Sequence, residues 1–289
     1  MKLRTLIDPL SATSLRVTPK FNSIELGSAT AFTVIHDGRA FLVTNWHVAT
    51  GRDADTEKCL DVTNAAIPNL LAVRFHKKGH LGQWTELEIP LQDGEGTNVW
   101  MEHPLGRLVD IVVIPVPESL QSSIEVYTLD LALAHVDILA TPAMPISVIG
   151  YPLGLSTGGN WPIWKTGHIA SDPDLDFEVG RPAFLIDATT RAGMSGSPVV
   201  LRLDSYRKSN GDQVLAGGVA TRFMGVYAGR INGNSEIGRV WRPYLLDEIF
   251  TGRLIFVAPS RRMCPGRNDQ CPCLRGKRFK ECCGNLTNS

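Results

Sequence analysis

The chain has 289 residues with 29 basic and 29 acidic side chains, so its formal charge is zero. That balance excludes a general nucleic-acid binder, which carries a basic excess to neutralise phosphates. Hydrophobic residues at 43% and charged residues at 20% are a globular composition and exclude disorder along the whole chain.

The opening MKLRTLIDPL holds no long apolar segment before a small-residue cleavage site, and no run approaches the ~18 apolar residues of a membrane span. The expectation is a soluble, cytoplasmic protein without a membrane contact. From residue 20 to 245 short β-type runs alternate with turn residues, an all-β cadence. Ala29 to Ile35 and Arg39 to Thr44 flank His36-Asp37-Gly38, and the Asp-Gly pair predicts an antiparallel hairpin. The second run continues as Leu42-Val43-Thr44-Asn45-Trp46-His47-Val48-Ala49, which places a histidine at a strand end, with a short helical turn after it. Arg52 to Gly106 is polar and rich in glycine and proline, and is expected to form irregular excursions between strands. Next comes Asp110-Ile111-Val112-Val113-Ile114, an acid at the mouth of an apolar strand. A seam between two lobes is expected near Pro117 to Pro142. Further strands are expected at Ile146 to Ile149, Val199 to Leu203 and Gly225 to Ala228. Ala192-Gly193-Met194-Ser195-Gly196-Ser197-Pro198-Val199 is a serine flanked by glycines before a β run, and those glycines suit a tight loop whose amides turn inward. Leu245, Leu246, Ile249 and Phe250 share one helical face and predict a C-terminal helix over residues 244–250.

His47, Asp110 and Ser195 are the parts of acyl transfer to serine. The hydroxyl needs a neutral imidazole to take its proton, and the imidazole needs a carboxylate to hold its tautomer. Backbone amides of Gly193 and Ser195 are candidates for an oxyanion hole. Asp130 and Asp137 are weaker alternatives for the acid, and the remaining six histidines read as ordinary surface or core residues, including His76 and His80 on either side of a polar turn.

The Thr-Asn-x-His-Val and Gly-x-Ser-Gly-x-Pro runs resemble the trypsin-like, chymotrypsin-fold serine endopeptidases, nearest their bacterial stress-protease branch. Val148-Ile149-Gly150-Tyr151-Pro152-Leu153-Gly154 and Thr166-Gly167-His168-Ile169 look like the start of that family's second barrel. The resemblance covers about residues 25 to 245. It implies two six-stranded antiparallel barrels, at about 20–125 and 140–245 within a domain spanning 1–258, and a site in the cleft between them. His47 would be the general base, Asp110 its orienting acid and Ser195 the nucleophile. Ser197 stands where the family commonly has glycine, and Trp46 where a small or polar residue is usual. The family's pattern maps Thr189 to the pocket floor, with a wall from the strand holding Tyr227 and Gly229. An uncharged floor with Arg191 and Arg230 nearby implies a small or medium apolar residue at the scissile position.

After Pro259 the composition changes. Residues 261–283 carry seven Lys or Arg against Asp269 and Glu281, together with five of the six cysteines. Cys271, Cys273, Cys282 and Cys283 follow a Cys-x-Cys, eight-residue, Cys-Cys spacing, and Cys264 stands apart as a spare. This segment, about 262–285, resembles the SEC-C motif at the end of the preprotein translocase ATPase. Leu274 and Arg275 replace that motif's usual Gly-Ser. The resemblance implies structural Zn²⁺ on four thiolates, supplying the folding free energy of a module too short for a core, and recruitment of a partner such as a chaperone, a ribosome or a defence complex. Nucleic acid is expected at most as a weak contact of the basic tail. The leading expectation is a bacterial serine endopeptidase. The rivals are a catalytically silent protease-like scaffold and a ribosome or chaperone adaptor.

Overall fold

A computed structural model describes residues 7–178 and 180–255, together with Arg278. The chain divides into two compact units, Met1–Leu254 and Ile255–Ser289. The four cysteines expected to bind zinc lie outside the described residues.

The first unit opens with helix α1 (Pro9–Thr13), capped by the Asp8 carboxylate, which accepts from the Leu10 amide. Nine strands follow as an antiparallel body: β1 (Ser14–Phe21), β2 (Ile24–Glu25), β3 (Ala29–His36), β4 (Arg39–Thr44), β5 (Leu70–Lys77), β6 (His80–Pro90), β7 (Met101–Glu102), β8 (Val112–Pro115) and β9 (Ile124–Glu125). Six are full strands, as the resemblance implies, and β2, β7 and β9 are two-residue ribbons at the margins. The order is β6-β5-β1-β3-β4-β8-β7, with β2 on β1 and β9 on β5. β3 and β4 form the expected hairpin, His36 opposite Arg39. Asp37 (φ 46°) and Gly38 (φ 74°) both take the left-handed backbone that matches a tight turn to strand twist.

The polar stretch after Arg52 departs from expectation, because residues 70–90 form the long β5–β6 hairpin. Leu71, Val73 and Phe75 alternate into the core, while glycines and a proline at its turn and end give the segment the look of a loop.

The second body is a closed six-stranded antiparallel barrel in the order β10-β11-β12-β15-β14-β13. Its strands are β10 (Pro145–Gly150), β11 (Ile163–Ile169), β12 (Ala183–Asp187), β13 (Pro198–Arg207), β14 (Gln213–Arg230) and β15 (Ile237–Trp241). Helix α2 (Trp46–Thr50) lies in the first body, and helix α3 (Leu245–Thr251) follows the barrel. No helix among the described residues is long and apolar enough to cross a membrane.

Each body has its own core, and a third apolar cluster joins them. Phe32, Val43 and Ile111 of the first body meet Val200, Phe223 and Trp241 of the second there, beneath Leu245, Leu246 and Ile249 of α3. Burying such side chains is worth roughly 1.5–3 kcal/mol each, so this shared core holds the two bodies in register. That register decides whether groups from different bodies can meet.

Candidate active site

Where β4 leaves the first body, Asn45 precedes α2 in an extended conformation, and the histidine sits in the helix's first turn. A helix this short gains little from its own hydrogen bonds, and Asp110 anchors it three ways. Its Oδ1 accepts from the His47 amide at 2.9 Å, its Oδ2 from His47 Nδ1 at 2.7 Å, and its carbonyl from Asn45 Nδ2 at 2.6 Å. Asp110 is 4% exposed, two residues before β8. A buried carboxylate only accepts, so the proton sits on Nδ1 and the Nε2 lone pair is free for another donor. Burial depresses the His47 pKa, but the charge and hydrogen bond of Asp110, with the more distant charge of Asp53, outweigh it and leave the pKa raised. Asp130 and Asp137 stand elsewhere: Asp130 accepts from the Ala132 amide and Asp137 from the Ser209 amide.

The serine sits on the loop entering β13. Ser195 and His47 line the same two cavities, one of about 450 Å³ and one of about 190 Å³. Among the described residues no hydrogen bond joins the Ser195 hydroxyl to His47. The loop's amides divide into two sets. Those of Met194, Gly196 and Ser197 donate to the carbonyls of Arg191, Tyr227 and Met194, whereas those of Gly193 and Ser195 have no acceptor among the described residues. Two free amides flanking the serine are the arrangement an oxyanion requires. Gly193 is obligatory here: its φ is +93°, and a Cβ would stand 2.4 Å from the Tyr151 carbonyl oxygen.

Thr30, which the sequence did not single out, ties the halves together. From β3 its amide donates to the Ser195 carbonyl at 2.9 Å and its hydroxyl to the Gly193 carbonyl at 2.8 Å. The same hydroxyl accepts from the Tyr151 amide at 3.1 Å. A Cβ on Gly196 would stand 2.1 Å from the Thr30 carbonyl oxygen, so this glycine is what lets β3 pass so close.

Of the expected specificity residues, Tyr227 and Gly229 line the larger cavity and Thr189 does not. Thr189 is exposed, and the next residue takes the inward place. Thr190 is fully buried, and its hydroxyl bonds that of Tyr227. One position separates them because side chains alternate as the chain leaves β12. Burial raises the Tyr227 pKa to about 12, so this phenol stays neutral in the cavity wall. No group of three or more His, Cys, Asp or Glu among the described residues is arranged to hold a metal.

Residues 267–285 match the SEC-C motif. The matched range contains Cys271, Cys273, Cys282 and Cys283. Among solved structures, the chain is similar to the inactive form of a mutant of Rv3671c from M. tuberculosis H37Rv, at 17% identity over 85% of this chain and 90% of that one, with a TM-score of 0.46. It is also similar to the active form of the Rv3671c protease from M. tuberculosis, at 18% identity over 86% of this chain and 85% of that one, with a TM-score of 0.48.

Proposed function

We propose that the protein is a serine endopeptidase. The observation that carries this reading is the 2.7 Å contact of His47 Nδ1 with the buried Asp110, in a cavity that also holds Ser195. In the reaction, His47 Nε2 takes the Ser195 hydroxyl proton as Oγ attacks the scissile carbonyl carbon. The oxyanion is received by the amides of Gly193 and Ser195, and the imidazolium is held by Asp110. His47 then passes the proton to the leaving amine, the C–N bond breaks, and an acyl-serine remains. Water gives a proton to His47 and attacks the ester, and His47 returns that proton to the Ser195 Oγ as the C–O bond breaks, releasing the acid and regenerating the serine. The Tyr227 ring on its Thr190 support favours a small residue at the scissile position.

The tail is proposed to bind structural zinc through Cys271, Cys273, Cys282 and Cys283, four thiolates being the donor set of a closed tetrahedral site. By the motif's resemblance it recruits a protein partner in the bacterial cytoplasm and takes no part in the chemistry.

Labelling of the full chain with a fluorophosphonate probe tests the hydrolytic reading. Wild type is expected to label at one site, and Ser195→Ala and His47→Ala to stay unlabelled. A silent scaffold is the rival outcome. Wild type that labels no faster than Ser195→Ala would establish that reading instead.

A further inference from the structure

The larger cavity carries more charge than the hydrolytic step uses. Asp53, Asp55, Arg191, Arg230 and Arg239 all line it, and all but one have partners. Asp55 Oδ1 pairs with Arg181 at 2.5 Å and its Oδ2 with Arg239 at 3.6 Å. Arg239 also reaches Glu178 at 3.4 Å, and Arg191 holds Glu236 at 2.9 Å. The Asp53 carboxylate takes the Thr56 amide and hydroxyl, both at 2.7 Å, and the Asp55 amide at 3.2 Å. The Arg230 guanidinium alone among these five side chains has neither an ion pair nor a hydrogen bond among the described residues. Arg230 is half-buried on the cavity wall, which leaves its guanidinium able to receive a carboxylate entering from outside.

Its place on β14 says what would meet it. On one side Gly229 and Arg230 pair with Arg239 and Gly238 of β15. On the other, pairing with β13 stops at Pro198 opposite Val226, so the backbone past Tyr227 has no strand partner there among the described residues. A peptide whose scissile carbonyl lies at Ser195 extends its acyl half along that open edge as an added strand, past Ala228 and Gly229 to Arg230.

We propose that the protein selects peptides carrying an acidic side chain upstream of the scissile bond, with Arg230 as the group that holds it. This rests on the endopeptidase reading and adds its substrate class. The test uses the full chain and a mass-spectrometric peptide library, followed by matched peptides differing only in Glu, Gln or Lys at the enriched position. Wild type is expected to cleave the Glu peptide with a kcat/KM about two- to fivefold above the Gln peptide, the range of a partly exposed ion pair. Arg230→Gln should remove that ratio, and Arg230→Glu should reverse it towards Lys. Equal rates for the Glu and Gln peptides, or a ranking unchanged in Arg230→Glu, would overturn the proposal. Binding of the same peptides to Ser195→Ala by fluorescence polarisation requires no turnover. Glu and Gln peptides binding equally there would also defeat it, whereas absence of Ser195-dependent probe labelling would count against the hydrolytic reading alone.

Discussion

Lowering the pH from 7.5 to 5 should destabilise the first unit through His76, which lines neither cavity of the candidate site. His76 is 0% exposed, with ring centroids of Trp84 at 3.9 Å and of Tyr127 and Trp161 at 5.2 Å. Its Nδ1 accepts from the Gly82 amide at 3.2 Å, so the ring is held neutral. Burial lowers its pKa from 6.5 to about 4, against a smaller upward pull from the Ala12 backbone. The unfolded chain therefore takes up a proton first. Stability is full above pH 6.5 and is lost as pH falls towards 4, by about 3 kcal/mol over the whole window and about 2 kcal/mol by pH 5. Against a total of roughly 5–15 kcal/mol that is a large fraction. His47 acts in the opposite sense. Its raised pKa means the folded chain holds that proton more tightly, a contribution present below pH 6.5 and lost as pH rises through the folded value. Urea unfolding of wild type and His76→Phe at both pH values separates the two, since the variant keeps His47. The variant should be less stable at pH 7.5, where it loses the Gly82 bond, yet fall by about 2 kcal/mol less between the two pH values. Parallel pH dependences in the two proteins would refute the reasoning.

Asp110→Asn should fold normally, retain the bond from the His47 amide, and present its NH₂ to Nδ1. That moves the imidazole proton to Nε2, and ester hydrolysis should drop by about 10³–10⁴; a loss below tenfold would show that Asp110 does not set the tautomer. Gly193→Ala must displace a Cβ from the Tyr151 carbonyl at a positive φ, so it should lower Tm, and in the fraction that remains folded it should slow probe labelling by about 10²–10³ through a lost oxyanion donor. Labelling at the wild-type rate would place the oxyanion hole elsewhere. Removing zinc with a chelator should release about one ion per chain and leave Ser195 labelling unchanged, checked by elemental analysis beside the probe assay. Loss of labelling on chelation would connect the tail to the site.

The candidate catalytic groups were legible because each lies in a short run that announces its own local structure. An apolar strand leads into His47, Asp110 stands just ahead of an apolar strand, and glycines bracket Ser195. The β3–β4 hairpin was legible from Asp37-Gly38, whose turn needs the backbone those residues adopt most readily. The β5–β6 hairpin was not, since turn residues signal breaks without saying what lies between them. Thr30 was hidden for a different reason: its hydroxyl bond to Gly193 spans 163 positions, and an unremarkable threonine in a strand carries no local mark of it. Which of Thr189 and Thr190 turns inward depends on a single residue of strand phase, which composition does not reveal.

The grip of Thr30 on the serine loop bears on the order in which the chain leaves the ribosome. His47 and Asp110 emerge early, in a body whose strands all precede residue 126. The serine follows, but its barrel stays open until β15 inserts between β12 and β14. A nascent chain stalled before Trp241 thus carries the proton-handling half beside a serine loop with no finished wall behind it. The proposed catalytic arrangement is thus complete only when nearly the whole first unit has been made, and truncated products of synthesis lack it.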